Sequence, residues 1–163
     1  STEAVGTIYG TLGVLFLSAG GILGGVLISR DGLRKWMLPM LLALNLPNAL
    51  YAWLAWTETD SLWAVGGTVM LEQFGYGFGF AAFLVYLIYI SQGPFKTAHY
   101  ALATGFMALG MMLPGMVSGY VQQWLGYPGF FLWVVAAALP ALILLRYIEY
   151  PADFGKKKAR EDD

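Results

Sequence analysis

The sequence predicts an all-α integral membrane protein with five transmembrane helices, and three observations lead there. Of its 163 residues, 58% are hydrophobic and only 12% charged, against about 25% charged in an ordinary soluble domain. The mean hydropathy is +0.63. So few charges cannot cover a water-facing surface, and so apolar a chain does not stay disordered. Second, apolar runs of roughly the 20 residues needed to cross a bilayer recur along the whole chain. Third, once those runs are threaded back and forth, all nine Lys and Arg residues fall on one side.

Span A covers about residues 6–28. Its glycines pair four apart, as Gly6/Gly10, Gly20/Gly24 and Gly21/Gly25. That spacing stacks small residues on one helix face, where backbones can approach closely without any hydrophobic drive from lipid. Span B covers about 36–56 and contains Pro39 and Pro47. A proline removes one backbone bond and bends its helix. Asn45 and Asn48 bracket Pro47, where an amide side chain can satisfy a freed carbonyl. Span C, about 62–90, carries Gly75/Gly79 and one acid, Glu72. Its Gly75-Tyr-Gly-Phe-Gly79 run lies inside an apolar span with no strand before it, so it is not a nucleotide loop. Span D covers about 98–121, with Gly115/Gly119 and a candidate hinge at Pro114-Gly115. Span E covers about 130–148 and contains Pro140. Plain packing and structural kinking are the favoured accounts of these small residues and prolines.

The connectors 29–35, 57–61, 91–97 and 122–129 are short, which makes neighbouring helices antiparallel. Residues 1–150 therefore read as one membrane bundle and 151–163 as a tail. Arg30, Arg34 and Lys35, then Lys96, then Arg146, Lys156, Lys157, Lys158 and Arg160 share one side; Glu3, Glu58 and Asp60 mark the other. The positive-inside rule makes the basic side and the C-terminus cytoplasmic. The N-terminus then lies outside without a signal to take it there, and a preceding helix is expected: the chain reads as a fragment. The basic run 155–160 is followed by Glu161, Asp162 and Asp163, so the tail reads as solvated and touching anionic lipid. The tryptophans lie mostly near span ends, as an aromatic belt.

The net charge of −1 provides no field for nucleic acid. The absence of Cys excludes thiolate metal sites and Cys nucleophiles, and a single His leaves no His-rich metal centre. No cofactor or metal is expected. No serine, histidine and aspartate constellation stands out, so an enzyme is not expected.

Glu72 is the sharpest signal. It lies about ten residues into span C, about 15 Å deep at 1.5 Å per residue. A charge there costs at least ~2.5–3.5 kcal/mol, so such a residue normally faces a partner or an aqueous cavity. A carboxyl that exchanges between charged and neutral forms is suited to carrying a proton. Gln73 is adjacent, and Tyr76 lies one turn on, on the same face. A hydrogen-bonded packing carboxyl is the plainer account. His99 begins span D beside Lys96 and Tyr100, where it titrates, binds an anion, or simply rests at the interface.

The connector Gly25-Val-Leu-Ile-Ser-Arg30-Asp31-Gly32-Leu33-Arg34-Lys35 resembles the loop signature of the major facilitator superfamily at Gly25, Leu27, Arg30, Gly32 and Arg34. It departs at Ser29, where the pattern has an acid, and at Leu33, often Arg. Those departures suit the copy in the second half of such transporters. The stretches Glu72-Gln-Phe-Gly-Tyr-Gly-Phe-Gly79, Lys96-Thr-Ala-His-Tyr-Ala101, Gly105-Phe-Met-Ala-Leu-Gly110, Pro114-Gly-Met-Val-Ser-Gly119 and Gly126-Tyr-Pro-Gly-Phe-Phe131 are similar to the muropeptide-permease (AmpG-like) branch. The resemblance runs to about residue 148. It implies that spans A to E correspond to helices 8 to 12 of a C-terminal six-helix bundle. It also implies alternating access, often driven by protons, against an absent N-terminal half.

On that resemblance span C lines the central cavity, spans A and D slide against the other half, and B and E face lipid. Glu72, with Gln73 and Tyr76, would couple protons or touch a small amphipathic solute; Arg30, Asp31, Gly32 and Arg34 would act at the cytoplasmic gate. The rival reading is a non-transporting membrane subunit or scaffold that docks a partner through its glycine faces.

Overall fold

The computed structural model describes residues 6, 8–58 and 61–157. All regular structure among them is helical. A π-wound lead-in, Ile8–Gly13, enters α1, Val14–Asp31; α2, Leu33–Asn45, and α3, Asn48–Thr57, follow. Then come α4, Leu62–Ile90, α5, Lys96–Ala137, and α6, Leu139–Leu144. Four stretches are long and apolar enough to cross a membrane: Tyr9–Asp31, Leu33–Thr57, Leu62–Ile90 and Lys96–Leu144. The first three match spans A to C. Residues 1–5, 7, 59–60 and 158–163 lie outside the described residues, and with them Glu3, Asp60, Lys158, Arg160 and the acidic end of the tail.

The local breaks follow from the prolines. Pro47 has no N–H to offer the carbonyl four residues back, and span B divides there into α2 and α3. Leu46 and Pro47 keep right-handed helical angles, so the division is a kink. The amide of Asn45 bonds the carbonyl of Leu41 at 2.7 Å. The carbonyl that Pro47 orphans is that of Ala43, and it points instead at Gly75 of α4. Pro140 stands in the first turn of α6, where a missing N–H costs nothing. Pro114 leaves α5 helical, so the expected hinge at Pro114-Gly115 is not a break.

Where a connector was expected over 122–129, the structure has one non-helical residue, Gly126, at φ 69° and ψ 172°. Only glycine adopts that combination without strain. At 1.5 Å per residue the 49-residue run Lys96–Leu144 would measure about 73 Å if straight. It is not straight. It starts beside the end of α4, and the residues following it return to that same end, where Tyr150 meets Tyr86 with ring centres 5.9 Å apart.

Helix α4 is the centre of the molecule, and its alternate glycines explain why. Residues four apart share a helix face and residues two apart do not. Gly75 and Gly79 face α2: a Cβ on Gly75 would overlap the Ala43 carbonyl, and one on Gly79 would lie 2.5 Å from Met40 O and 2.6 Å from Leu44 Cβ. Gly77 faces the other way, where a Cβ would overlap the Leu17 carbonyl of α1 and lie 3.0 Å from Gly21 N. Gly20 and Gly24 return the contact: Gly20 meets Phe74 O and, at 2.9 Å, Phe78 N; Gly24 meets Ala81 Cβ at 2.8 Å. Along α1 and α4 the contacting residues advance together, so these helices are parallel. Along α2 and α4 they run oppositely, so those are antiparallel.

The buried core fills one end of this seam: Ile28, Leu33, Met37, Met40, Phe78 and Ala82. The Trp36 ring meets Phe78 edge-on at 6.1 Å. By contrast α5 buries no residue. It lies mainly against α3, where Phe131 is stacked on Tyr51 at 5.5 Å.

The described part of the tail, residues 151–157, is exposed apart from half-buried Phe154, and its backbone is folded back against the connector between α1 and α2. The Leu33 amide donates to Phe154 O at 2.8 Å, and the Lys157 amide to Ser29 O at 2.7 Å.

Candidate functional site

Glu72 occupies the third turn of α4 and is half-buried. Its partner comes from α3: the Tyr51 hydroxyl donates to Glu72 Oε2 at 3.5 Å, the long end of the hydrogen-bond range. Tyr51 in turn lies 2.6 Å from the hydroxyl of Tyr9 in the lead-in to α1. With Tyr51 donating to the carboxylate, its oxygen is left to accept from Tyr9. Three helices thus send polar tips to one point, and the stack of Phe131 on Tyr51 closes the flank.

Helix geometry selects this partner. At 100° per residue, Glu72 lies about 60° from Gly75 around α4 and about 20° from Gly79. It therefore shares the flank that meets the kinked span B. Residue 51, about one turn beyond Pro47, arrives opposite the acid. The arrangement gives a carboxyl at mid-span a hydrogen-bond-donating partner, Tyr51, and beyond it a second hydroxyl, that of the exposed Tyr9, 38% accessible.

Among the described residues no hydrogen bond joins Glu72 to Gln73 or Tyr76. Tyr76 stacks on Phe80 at 5.5 Å. Asn45 is occupied by its own helix, and His99 stands exposed at the start of α5 with its backbone amide on Phe95 O at 3.0 Å. Tyr51 and Tyr9 are the residues that sequence reasoning missed. A tyrosine in an apolar span carries no polar signature, and only its helical phase relative to Pro47 marks it.

At the opposite end of the seam lies the predicted gate. Asp31, in the connector beyond span A, accepts from Trp36 Nε1 at 3.0 Å and pairs with Lys35 at 3.0 Å and Arg30 at 3.7 Å. The bonds from Lys35 and then Trp36 hold its carboxyl below the ordinary value of 3.8. Gly32 turns the chain at φ 90°. Arg34 points elsewhere, into a cavity of about 630 Å³ that it lines with Arg146, Glu149 and Tyr150. Arg30 and Asp31 are therefore together, and Arg34 is apart from them. Among the described residues no group of His, Cys, Asp or Glu could hold a metal ion.

Comparison with known proteins places this geometry in a family context. The chain is 33% identical over 141 residues, 86% of its length, to the anhydromuropeptide permease of Escherichia coli (strain K12). It is 26% identical over 88% of its length to the putative transporter AmpG 4 of Rickettsia conorii, and 23% identical over 90% to the putative transporter AmpG 1 of Rickettsia felis. The chain is a relative of the anhydromuropeptide permeases. It spans about a third or less of these relatives' own length: 28%, 34% and 32%. No family model matches it, and no solved structure does. The resemblance read from the Glu72, His99 and Gly126 stretches is borne out. With its long apolar helices and these relatives, the chain is an integral membrane protein.

Proposed function

We propose that the chain is the C-terminal portion of a facilitator-type secondary transporter of the bacterial inner membrane. It moves a small amphipathic solute of the muropeptide kind by alternating access, coupled to protons. The observation that carries this reading is Glu72, an acid halfway along a lipid-length helix, met by Tyr51 and, through it, Tyr9 from two other helices. A charged acid at that depth is costly to insert, and acids kept in such positions characteristically serve ion or proton movement.

The topology we propose has five crossings with the C-terminus cytoplasmic. It is supported by the return of the Lys96–Leu144 run to its starting end and by the glycine break at 126. The gathering of Arg34 and Arg146 around one cavity supports the same-side placement of the basic connectors. An N-terminal half completes the transport path. Gly6, Gly10, Gly25, Gly115 and Gly119 have nothing within 4 Å of a built Cβ. These open small-residue positions, on and before the lead-in, on α1 and on α5, suit close helix approach by a partner bundle.

In this reading Glu72 carries the coupled proton, Gln73 and Tyr76 border the solute path, and Arg30, Asp31, Gly32 and Arg34 form the cytoplasmic gate. The test is Glu72→Gln in the intact permease, assayed as uptake of labelled anhydromuropeptide into membrane vesicles with and without an imposed proton gradient. Gradient-driven accumulation should disappear while membrane insertion is unchanged. Accumulation at the parent level would remove Glu72 from the mechanism.

A further inference from the structure

We infer that residues 150–157 form a strap that positions the gate connector, so that Phe154 and Gly155 act on the gate through the backbone of residues 29–33. The inference rests on the gate reading above and adds residues that no motif marks.

A helix leaves its last four carbonyls and first four amides without intrahelical partners. At this turn two helices, α1 and α2, end and begin within one residue of each other, so orphan groups of both kinds crowd together. Gly32 N satisfies Ile28 O at 2.8 Å. Ser29 O, in the last turn of α1, receives the amide of Lys157, and the amide of Leu33, which opens α2, is taken by Phe154 O. One short segment thus supplies a donor to one helix end and an acceptor to the other. The segment holds its own shape: Phe154 N bonds Pro151 O at 3.2 Å and Lys156 N bonds Asp153 O at 2.9 Å.

Two glycines permit the fit. Gly32 has φ 90°, and a Cβ there would lie 2.6 Å from Ala152 O; Gly155 has φ 82°, and a Cβ there would lie 2.8 Å from Ile28 Cγ2 and 3.3 Å from Val85 Cγ1. Either positive φ already disfavours a side chain. Aromatic contacts fasten the strap to α4: Phe154 meets Tyr89 at 5.0 Å, and Tyr150 meets Tyr86. Beneath it Ile28 and Leu33 are 2% and 0% exposed. Arg30, Asp31 and Gly32 therefore stand on a short arc pinned at both ends, at Ser29 and at Leu33. The strap also carries Lys156 and Lys157 to the corner that holds Arg30 and Lys35.

The test uses the full-length permease in lipid nanodiscs, with Gly155→Val, Phe154→Ala, Phe154→Tyr and a chain ended after Glu149. Backbone hydrogen exchange is read over 28–36, alongside the KM and maximal rate of uptake. Exchange in that stretch should quicken about tenfold in Gly155→Val and in the shortened chain, the factor for losing one or two hydrogen bonds of ordinary net strength. Exchange in the outer half of α4 should stay unchanged. Phe154→Tyr should restore what Phe154→Ala loses, and maximal rate should fall with KM held. Unchanged exchange over 28–36 overturns the strap. Faster exchange with uptake unaltered keeps the strap and overturns the gate reading. Should the shortened chain fail to insert, the point variants decide by the same exchange readout.

Discussion

Replacing Gly77 by alanine tests the packing seam most sharply. The added methyl would overlap the Leu17 carbonyl and lie 3.0 Å from Gly21 N, both backbone atoms of α1. Neither can rotate away, so α1 and α4 must separate along the line where Gly20 and Gly24 also touch. Overpacking of this kind costs about 1–3 kcal/mol. Alanine returns up to about 1 kcal/mol through its better helix propensity. The net expectation is a loss of about 1–2 kcal/mol, read as a melting point several degrees lower by circular dichroism in detergent micelles. Gly67→Ala on the same helix is the matched control, because nothing lies within 4 Å of its built Cβ. It should be neutral or raise stability by about 0.4–1 kcal/mol. If Gly77→Ala melts at or above the parent while Gly67→Ala behaves as stated, the close approach of α1 to α4 is wrong.

Two further outcomes follow from the polar groups. Tyr51→Phe keeps the ring stacked on Phe131 but removes the hydroxyl between Tyr9 and Glu72. It should cost about 1 kcal/mol or less in stability and displace the pH profile of uptake in the intact permease, with a smaller displacement for Tyr9→Phe. An unmoved profile for Tyr51→Phe would exclude the hydroxyl from coupling. At the other end, Asp31 titrates below 3.8 in the folded state. Its contribution is therefore fully present above that value and fades as pH falls through the lower folded value. Asp31→Asn should melt below the parent at neutral pH, and the two curves should converge in acid; a gap that persists in acid would contradict the Lys35 and Trp36 pairing.

Much of this was readable in the sequence, and the parts that were not share a cause. Apolar run length fixes a crossing because the bilayer imposes it, and spans A to C were legible for that reason. Glycine spacing shows where a backbone can be approached, but not by what. Gly20/Gly24 and Gly75/Gly79 meet partners, while Gly6/Gly10 and Gly115/Gly119 face open space. Gly77 escaped notice because it belongs to no pair four apart, yet it makes one of the tightest contacts. Tyr51 was hidden because its role depends on the phase of a helix beyond a kink. The strap was hidden because Tyr150, Phe154 and Gly155 lie among charges, and composition averaged them into a solvated tail. Their aromatic spacing of four was the available signal.

The site and the seam are one construction. Met40 meets Gly79, Ala43 meets Gly75, and Tyr51 meets Glu72, so a single antiparallel register along α2, α3 and α4 sets where the acid finds its hydroxyl. The first two contacts are backbone against glycine and tolerate almost no sliding. The third lies past Pro47, on α3, which buries only Ala52. The clamp and the polar contact therefore stand on opposite sides of the kink. Bending at Pro47 would carry Tyr51 away from Glu72 while leaving the glycine contacts closed. The coupling role proposed for Glu72 has that mechanical requirement: its partner is lost and regained while its helix stays packed.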